Sequence, residues 1–306
     1  MNFKDREEKM KKPIITLTSI ACMILISSAA LATQIQATVS IAPVKYFVEK
    51  IGGENVNVNI MVEPGSSPAT YEPQPRQMAQ LSKSEIYFAI GVPFEQAWLP
   101  RFRSANNKLE IINLANEVVP QAMQAHVHDE DKHRHEHEHE HGDTRIKDPH
   151  IWLSPPLVRI ISQQIRDVLI EHDPANTETY TRNYLNFASE INKLDSDLLN
   201  IFTQKGKEFS FMVYHPSWGY FARTYGLNQI PIELEGKEPS PKELTQLIKL
   251  AKKDSVQAIF IQPQFSQKSA RALAKSIGAE VLTANPLAED WAENLRKTAE
   301  AFIKKH

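Results

Sequence analysis

The sequence predicts an α/β protein of two lobes, each a mainly parallel sheet flanked by helices, joined by one long strut helix. In both halves, short apolar runs alternate with amphipathic stretches of helical spacing. Alternation of this kind is typical of parallel sheets covered by helices. Between the halves, the stretch from Ala175 to about Phe202 contains neither Gly nor Pro and repeats apolar residues at three-to-four spacing, which indicates one long helix.

The first half contains four short runs with the composition of strands. They are TVSIA (38–42), VNVNIMV (56–62), IYFAIGV (86–92) and LEIINL (109–114). Helical patterns over 43–51 and 77–84 separate these runs, and a loop of turn-forming residues precedes the second helix. The order strand, helix, strand predicts parallel pairing within the first lobe.

The second half repeats the same rhythm. Its predicted strands are FSFMVYH (209–215), NQIPIEL (228–234), QAIFIQ (257–262) and EVLTA (280–284). Helices are predicted over 242–253 and 269–278. We therefore place an N-terminal lobe at 33–172, a linking helix at 173–203 and a C-terminal lobe at 204–306. Asp173 is expected to cap the linking helix and Pro174 to lie in its first turn.

The start of the chain has the pattern of a secretory signal peptide. A charged region ends at Lys12, an apolar run follows, and Ala30-Leu31-Ala32 is a small-residue cleavage pattern. We expect residues 1–32 to be removed from a mature secreted protein, against the alternative of a membrane anchor. Lipidation at Cys22 is disfavoured because Ser19 is a poor start to a lipobox and the apolar run continues past the cysteine.

Composition excludes some classes of partner. Cleavage after Ala32 removes the only cysteine, so no disulfide is available. The mature chain carries 30 basic and 34 acidic residues. The chain has no excess of basic residues that would indicate binding to nucleic acid. We expect a monomer.

One polar run holds most of the histidines. Seven of the chain's 11 histidines lie between His126 and His141, interleaved with acidic residues: His126, His128, His133, His135, His137, His139 and His141. The run has no apolar periodicity, so residues 126–142 are expected to form a mobile loop. Neutral imidazoles bind zinc, copper or nickel, and the loop is interpreted as an accessory metal-capture arm; a spacer without a metal role is the alternative.

Two other histidines stand where an α/β sheet binds ligands. Open α/β sheets bind at the carboxyl ends of their strands. His215 follows the predicted strand FSFMVY directly, and His150 lies in the loop segment DPHIW. Each is followed by an aromatic residue two or three positions later. A lone histidine is more often structural, as we expect for His172 and His306, but His150 and His215 are candidate metal ligands.

Six segments together resemble the zinc/manganese family of metal-binding solute-receptor proteins of ABC transporters. They are PGSSPATYEPQPRQM, DPHIWLSP, HPSWGYF, EGKEPSPKEL, QPQFSQKSA and NPLAEDW. The resemblance covers about Val39 to Phe302. It implies that a transition metal lies between the lobes, that His150 and His215 are ligands, and that the protein hands the metal to a membrane permease.

The sequence departs from the family pattern at two positions. Ala69 stands where many relatives have a ligand histidine, and Asn285 where many have an aspartate. Two imidazoles do not complete a zinc site, which normally has four ligands. The missing donors could be an oxygen of Tyr71, Glu72, Glu233, Glu235 or Asp290; they could also be water, His126 or His128 of the loop, or a small molecule that arrives with the metal.

Among these donors we favour Glu72, with Asn285 as a weak neutral oxygen donor. Glu72 lies three residues from Ala69. Tyr71, Trp152, Trp218 and Tyr220 are expected to form the walls around the metal, with plain core packing as the alternative. Zn²⁺ is expected as the bound ion, ahead of Mn²⁺ or another divalent transition metal, because imidazole donors suit zinc and manganese prefers oxygen.

The leading hypothesis is therefore a periplasmic receptor that captures zinc for an ABC importer, without catalysis. A periplasmic metal buffer or chaperone acting through the histidine-rich loop is the second. A secreted metal-dependent hydrolase is the third, disfavoured because the chain contains no H-E-x-x-H, no G-x-S-x-G and no glycine-rich phosphate loop. Adhesion also occurs in relatives of this family.

Overall fold

A computed structural model describes residues 34–124, 147–203, 210–233, 237–254, 256–265 and 267–304. The first lobe contains a four-stranded parallel sheet with the order β2-β1-β3-β4. Its elements are β1 (Ile35–Val39), α1 (Ala42–Gly52), β2 (Val56–Ile60), α2 (Pro75–Leu81), β3 (Ile86–Ala89), α3 (Phe94–Ala105) and β4 (Glu110–Asn113).

Two helices follow the histidine-rich region. A short 3₁₀ helix, Ile151–Leu153, leads into α4 (Pro155–His172). A second 3₁₀ helix, Pro174–Asn176, precedes α5 (Thr177–Thr203), which is the predicted linking helix and spans 27 residues. Asp173 does not cap the backbone as expected. Its carboxylate instead accepts hydrogen bonds from Asn176 Nδ2 at 2.6 Å and the Tyr180 hydroxyl at 2.8 Å, because the chain turns through a 3₁₀ segment there.

The second lobe repeats the topology of the first, with the parallel order β6-β5-β7-β8. Its elements are β5 (Ser210–Val213), α6 (Gly219–Tyr225), β6 (Asn228–Pro231), α7 (Pro241–Lys253), β7 (Ala258–Ile261), α8 (Gln267–Ile277), β8 (Glu280–Thr283) and α9 (Trp291–Lys304). The fold class predicted from the sequence is confirmed. The lobe limits at 33–172, 173–203 and 204–306 stay predictions.

One apolar core runs through both lobes. It joins the first sheet, α4, α5 and α9 to one face of the second sheet, while a smaller core covers the other face of that sheet. Trp291 of α9 packs edge-on against Phe47 of α1 with ring centroids 5.2 Å apart. Its indole Nε1 also donates to the carbonyl of Trp152 at 2.7 Å. The lobes are therefore tied by buried contacts as well as by α5.

Within the described residues, no helix has both the length and the apolar character that a membrane span requires.

Replacing Trp291 with alanine tests the junction between the lobes. The side chain is 1% exposed, and loss of a buried aromatic ring typically costs about 3–5 kcal/mol. We expect Trp291→Ala to lower the free energy of unfolding in urea by that amount. Leu185→Ala, at a 60% exposed position of α5, is the matched control and should change it by less than about 0.5 kcal/mol. Equal effects of the two substitutions would contradict a shared core.

Candidate metal site

The carboxyl ends of the strands in both sheets meet around one pocket. Its walls come from the loops after β2, β3, β5, β7 and β8 and from the segment that precedes α4. The lining residues are Ser67, Pro68, Ala69, Val92, Pro93, Met123, Pro149, His150, Trp152, His215, Gln262, Gln264, Phe265, Pro286 and Leu287. The pocket encloses about 550 Å³, including the mouth that opens to solvent. This is the position where parallel α/β sheets bind ligands.

His150 and His215 face each other across this pocket. Their ring centroids are 5.3 Å apart, and the rings stand edge to face at 71°. The His150 side chain is 10% exposed, and the His215 side chain is 21% exposed. The two histidines are 65 positions apart in the chain, so the pairing depends on the packing of the two lobes.

The orientation of His150 is fixed by Asp148. The imidazole Nδ1 lies 2.7 Å from Asp148 Oδ1, and the backbone amide of His150 donates to the same oxygen at 2.9 Å. Asp148 is buried, and a carboxylate in this position accepts the Nδ1 proton. The tautomer then leaves Nε2 as the atom that can bind a metal.

The backbone at Gly219 passes close to the Asp148 side chain. A Cβ placed on Gly219, at the start of α6, would lie 2.6 Å from Asp148 Oδ2. Glycine at this position therefore leaves room for the carboxylate that orients His150.

His215 is held in the same manner by Glu233. The chain leaves β5 at Val213, and Nδ1 of His215 pairs with the buried carboxylate of Glu233, which follows β6. The Gln262 amide fixes the backbone on the other side, because its Nε2 donates to the His215 carbonyl at 2.7 Å. Phe265 stacks on the imidazole at 5.2 Å. Here too Nε2 is left as the metal donor.

Burial lowers the pKa of His150. Desolvation is the main cause and the neighbouring His215 adds to it, while Asp148 opposes both. The imidazole is therefore neutral at neutral pH, which is the form that binds a metal.

A buried carboxylate also holds the loop after β3. Glu95, which is 4% exposed, accepts hydrogen bonds from the backbone amides of Ile90 at 3.0 Å and Gly91 at 2.8 Å. It also pairs with the Ser40 hydroxyl after β1. Burial raises the pKa of this carboxyl group. The network fixes the path of the chain into Val92 and Pro93, which form part of the pocket wall.

No third protein donor of the usual kind joins the two imidazoles. Within the described ranges, no cluster of three His, Cys, Asp or Glu residues has the geometry to hold a metal. Ala69 lines the pocket with a methyl group only. Glu72 is exposed and lies outside the lining, so the structure does not bring it to the histidines.

Asn285 is also outside the lining. Its side-chain oxygen accepts a hydrogen bond from the backbone amide of Leu287 at 3.1 Å, and its carbonyl accepts one from Asn294 at 2.8 Å. Asn285 thereby shapes the turn after β8. Asp290 is exposed, and Glu235 lies outside the described residues.

Of the four aromatic residues expected in the walls, Trp152 lines the pocket. Its ring lies 5.1 Å from that of His150, and its Nε1 donates to the Pro286 carbonyl at 2.7 Å. Tyr71 packs against Phe94, and its hydroxyl donates to Gln77. Trp218 is fully buried against Phe221.

The Tyr220 side chain contacts the backbone of Gln121. Its hydroxyl accepts a hydrogen bond from the Gln121 amide at 3.1 Å. The histidines at 126–141 lie outside the described residues, but the two ends of that segment meet in an antiparallel bridge between Ala122 and Lys147. The Asp148 amide donates to the Gln121 carbonyl at 2.9 Å, so the described residues on both sides of that segment lie beside the carboxylate that orients His150.

Sequence reasoning did not assign Asp148, and it treated Glu233 as a possible oxygen donor to the metal. In the structure both carboxylates contact imidazole Nδ1 atoms instead. The spacing in Asp148-Pro149-His150 was the available signal for the first. Glu233 pairs with His215 because β5 and β6 are adjacent in the sheet. The local sequence pattern does not predict that adjacency.

The chain is similar to known zinc-uptake proteins in sequence and in fold. The family model described as zinc-uptake complex component A, periplasmic (ZnuA), matches residues 38–305. A crystal structure of ZnuA is 42% identical, with a TM-score of 0.80 and coverage of 89% of this chain and 99% of that one. The high-affinity zinc uptake system protein ZnuA of Bacillus subtilis is 29% identical over 80% of this chain and 76% of its own length.

The zinc-binding protein AdcA of Streptococcus pyogenes serotype M3 is 27% identical over 292 residues. The match covers 91% of this chain and 56% of AdcA. The chain therefore spans little more than half the length of that relative.

Replacing Asp148 with asparagine tests the orientation of His150. The amide cannot accept both the Nδ1–H and the backbone N–H as strongly as a carboxylate does. Loss of such a partner typically lowers metal affinity by about 10–100-fold. We expect that decrease in a chelator-competition titration with zinc. Asp167→Asn, at an exposed aspartate of α4, is the matched control and should leave the affinity unchanged. An unchanged affinity for Asp148→Asn would refute the role of this carboxylate.

Proposed function

The chain belongs to the zinc-uptake complex component A (ZnuA) family, and we propose that it captures Zn²⁺ between its lobes at His150 and His215 and delivers the ion to the membrane permease of an ABC importer. The observation that carries the proposal is the pair of facing imidazoles, each with Nδ1 held by a buried carboxylate. This arrangement presents two Nε2 atoms to one pocket at the junction of the lobes.

The donor chemistry supports zinc over manganese. Imidazole nitrogen suits zinc, whereas Mn²⁺ prefers carboxylate and carbonyl oxygen. The carboxylates of Asp148 and Glu233 are not placed as metal ligands, because each contacts an imidazole. Partners in that position raise the basicity of the ligating ring. The relatives from Streptococcus pyogenes and Bacillus subtilis are named for zinc binding and zinc uptake.

The pocket does not favour hydrolysis. A metal-dependent hydrolase activates a bound water and needs a general base near it. Among the described residues, those that line this pocket include no carboxylate, since Asp148 and Glu233 lie behind the imidazoles. We therefore propose a receptor without catalytic activity.

Limited lobe movement is part of the proposal. The helix α5 packs against α1, α4 and α9, and the apolar core is continuous from one lobe to the other. A large hinge rotation would expose buried aromatic surface at Trp291 and Phe187. Metal release is then expected to involve the pocket loops.

The remaining parts of the proposal concern the cellular setting. We propose that residues 1–32 direct export and are removed, that the mature monomer acts in the periplasm, and that the histidine-rich loop collects zinc near the pocket. A periplasmic buffer that acts chiefly through this loop is the competing hypothesis.

Substituting the paired histidines tests the function directly. We expect His150→Ala or His215→Ala to weaken the tight zinc site by at least about 100-fold, because loss of a direct ligand should exceed the effect of losing its supporting partner. Chelator competition measures the affinity, and growth of a receptor-deleted strain under zinc limitation measures delivery. His172→Ala, which removes an imidazole paired with Glu110 outside the pocket, should preserve both.

The buffer hypothesis predicts a different pattern. Deletion of Val127 to His141 would then abolish tight binding, and the His150 and His215 variants would bind as the unaltered protein does. That result would contradict the receptor proposal.

A further inference from the structure

We propose that the cargo is not a bare zinc ion but zinc held by a small amino-carboxylate chelator, of the kind an α-amino acid provides. This inference rests on the proposed function and names its substrate class. It follows from three features of the pocket: the number of protein donors, the character of the remaining wall, and the charge around the imidazoles.

The protein supplies two strong donors where zinc normally takes four. His150 and His215 provide Nε2 atoms, and the described residues include no group of three His, Cys, Asp or Glu that could hold a metal. Ala69 occupies the wall of the same pocket without a donor atom. An amine nitrogen and a carboxylate oxygen from one small molecule would complete a tetrahedral set.

The rest of the wall suits an organic ligand better than a hydrated ion. Much of it is apolar, with Pro68, Val92, Met123, Phe265 and Leu287 among the lining residues. Polar groups placed against apolar walls without hydrogen-bond partners are costly, so waters on the metal would be poorly accommodated there. The carbon skeleton of a chelator would instead bury apolar surface against these side chains.

Polar side chains complete the lining. Ser67 and Gln264 add a hydroxyl and an amide to the lining, which can hydrogen-bond the polar atoms of a chelator.

Charge restricts the class of chelator. The two carboxylates of Asp148 and Glu233 already lie against the imidazoles, and together they balance the charge of Zn²⁺. The described lining contains no Lys or Arg to receive further negative charge. A chelator with a single carboxylate adds one negative charge to this site, whereas a polycarboxylate such as citrate would add more. The site therefore favours the single carboxylate.

Equilibrium dialysis of the full chain with zinc and radiolabelled L-histidine tests the proposal. We expect about one labelled histidine to be retained for each tightly bound zinc, and zinc at a fixed free concentration to bind at least about 10-fold more tightly when L-histidine is present. Labelled citrate should not be retained. The double variant His150→Ala/His215→Ala should retain no histidine, which separates the pocket from the histidine-rich loop.

Adding the missing protein donor provides the sharpest comparison. Ala69→His should bind zinc without added chelator and lose most of the labelled histidine, because the new imidazole occupies a coordination position. Ala79→His is the matched control: Ala79 is exposed on α2 outside the pocket, and this variant should retain histidine as the unaltered protein does.

Two results would overturn the inference in distinguishable ways. If the unaltered chain binds zinc equally tightly without L-histidine and retains none of it, the chelate proposal fails while zinc capture at His150 and His215 stands. If the double variant binds zinc as tightly as the unaltered chain in both conditions, the proposed function fails, and the chelate proposal fails with it.

Discussion

The hydrogen bond between a buried carboxylate and imidazole Nδ1, made once in each half of the site, is the interaction on which the proposed metal chemistry depends. Asp148 holds His150, and Glu233 holds His215. Without these partners each ring could rotate or change tautomer, and two Nε2 atoms would not be directed at one pocket. Burial of the carboxylates makes the constraint stronger, because a buried charge is costly without its partner.

The second constraint is the packing around Trp152 and Trp291, which holds the two lobes together. Trp152 lines the pocket beside His150, yet it is also bonded to Pro286 after β8, and its own carbonyl accepts from Trp291. One aromatic pair thus connects the metal pocket to the core shared by both lobes. The pocket wall at Trp152 is therefore held in place by the core that both lobes share.

Repeated local patterns were sufficient to predict the fold. The strand runs in each half have period and composition that only a covered parallel sheet accommodates, and the absence of Gly and Pro from Ala175 to Phe202 indicated α5. The placement of His150 and His215 followed from their positions at strand and loop ends. The helices α3, α4, α6 and α9 were not identified, since their apolar faces pack on neighbours that the local sequence does not reveal.

Further donors to a metal were harder to predict than the two facing histidines. Glu72 was favoured because it lies near Ala69 in sequence, but the turn after β2 leaves its side chain exposed outside the pocket lining. Asn285 stabilises the turn after β8 through Leu287. The positions of the Glu72 and Asn285 side chains depend on loop conformation, which the spacing of residues in the sequence does not determine.

Zinc K-edge X-ray absorption of the full chain, loaded with one equivalent of zinc, tests whether His150 and His215 bind the ion. Multiple scattering from imidazole rings counts the histidines that bind the ion. We expect two imidazoles and light oxygen or nitrogen donors in the remaining positions. A spectrum with three or four imidazoles, changed by deletion of Val127 to His141 and insensitive to His150→Ala, would show that the tight site lies in the histidine-rich loop and would contradict the account.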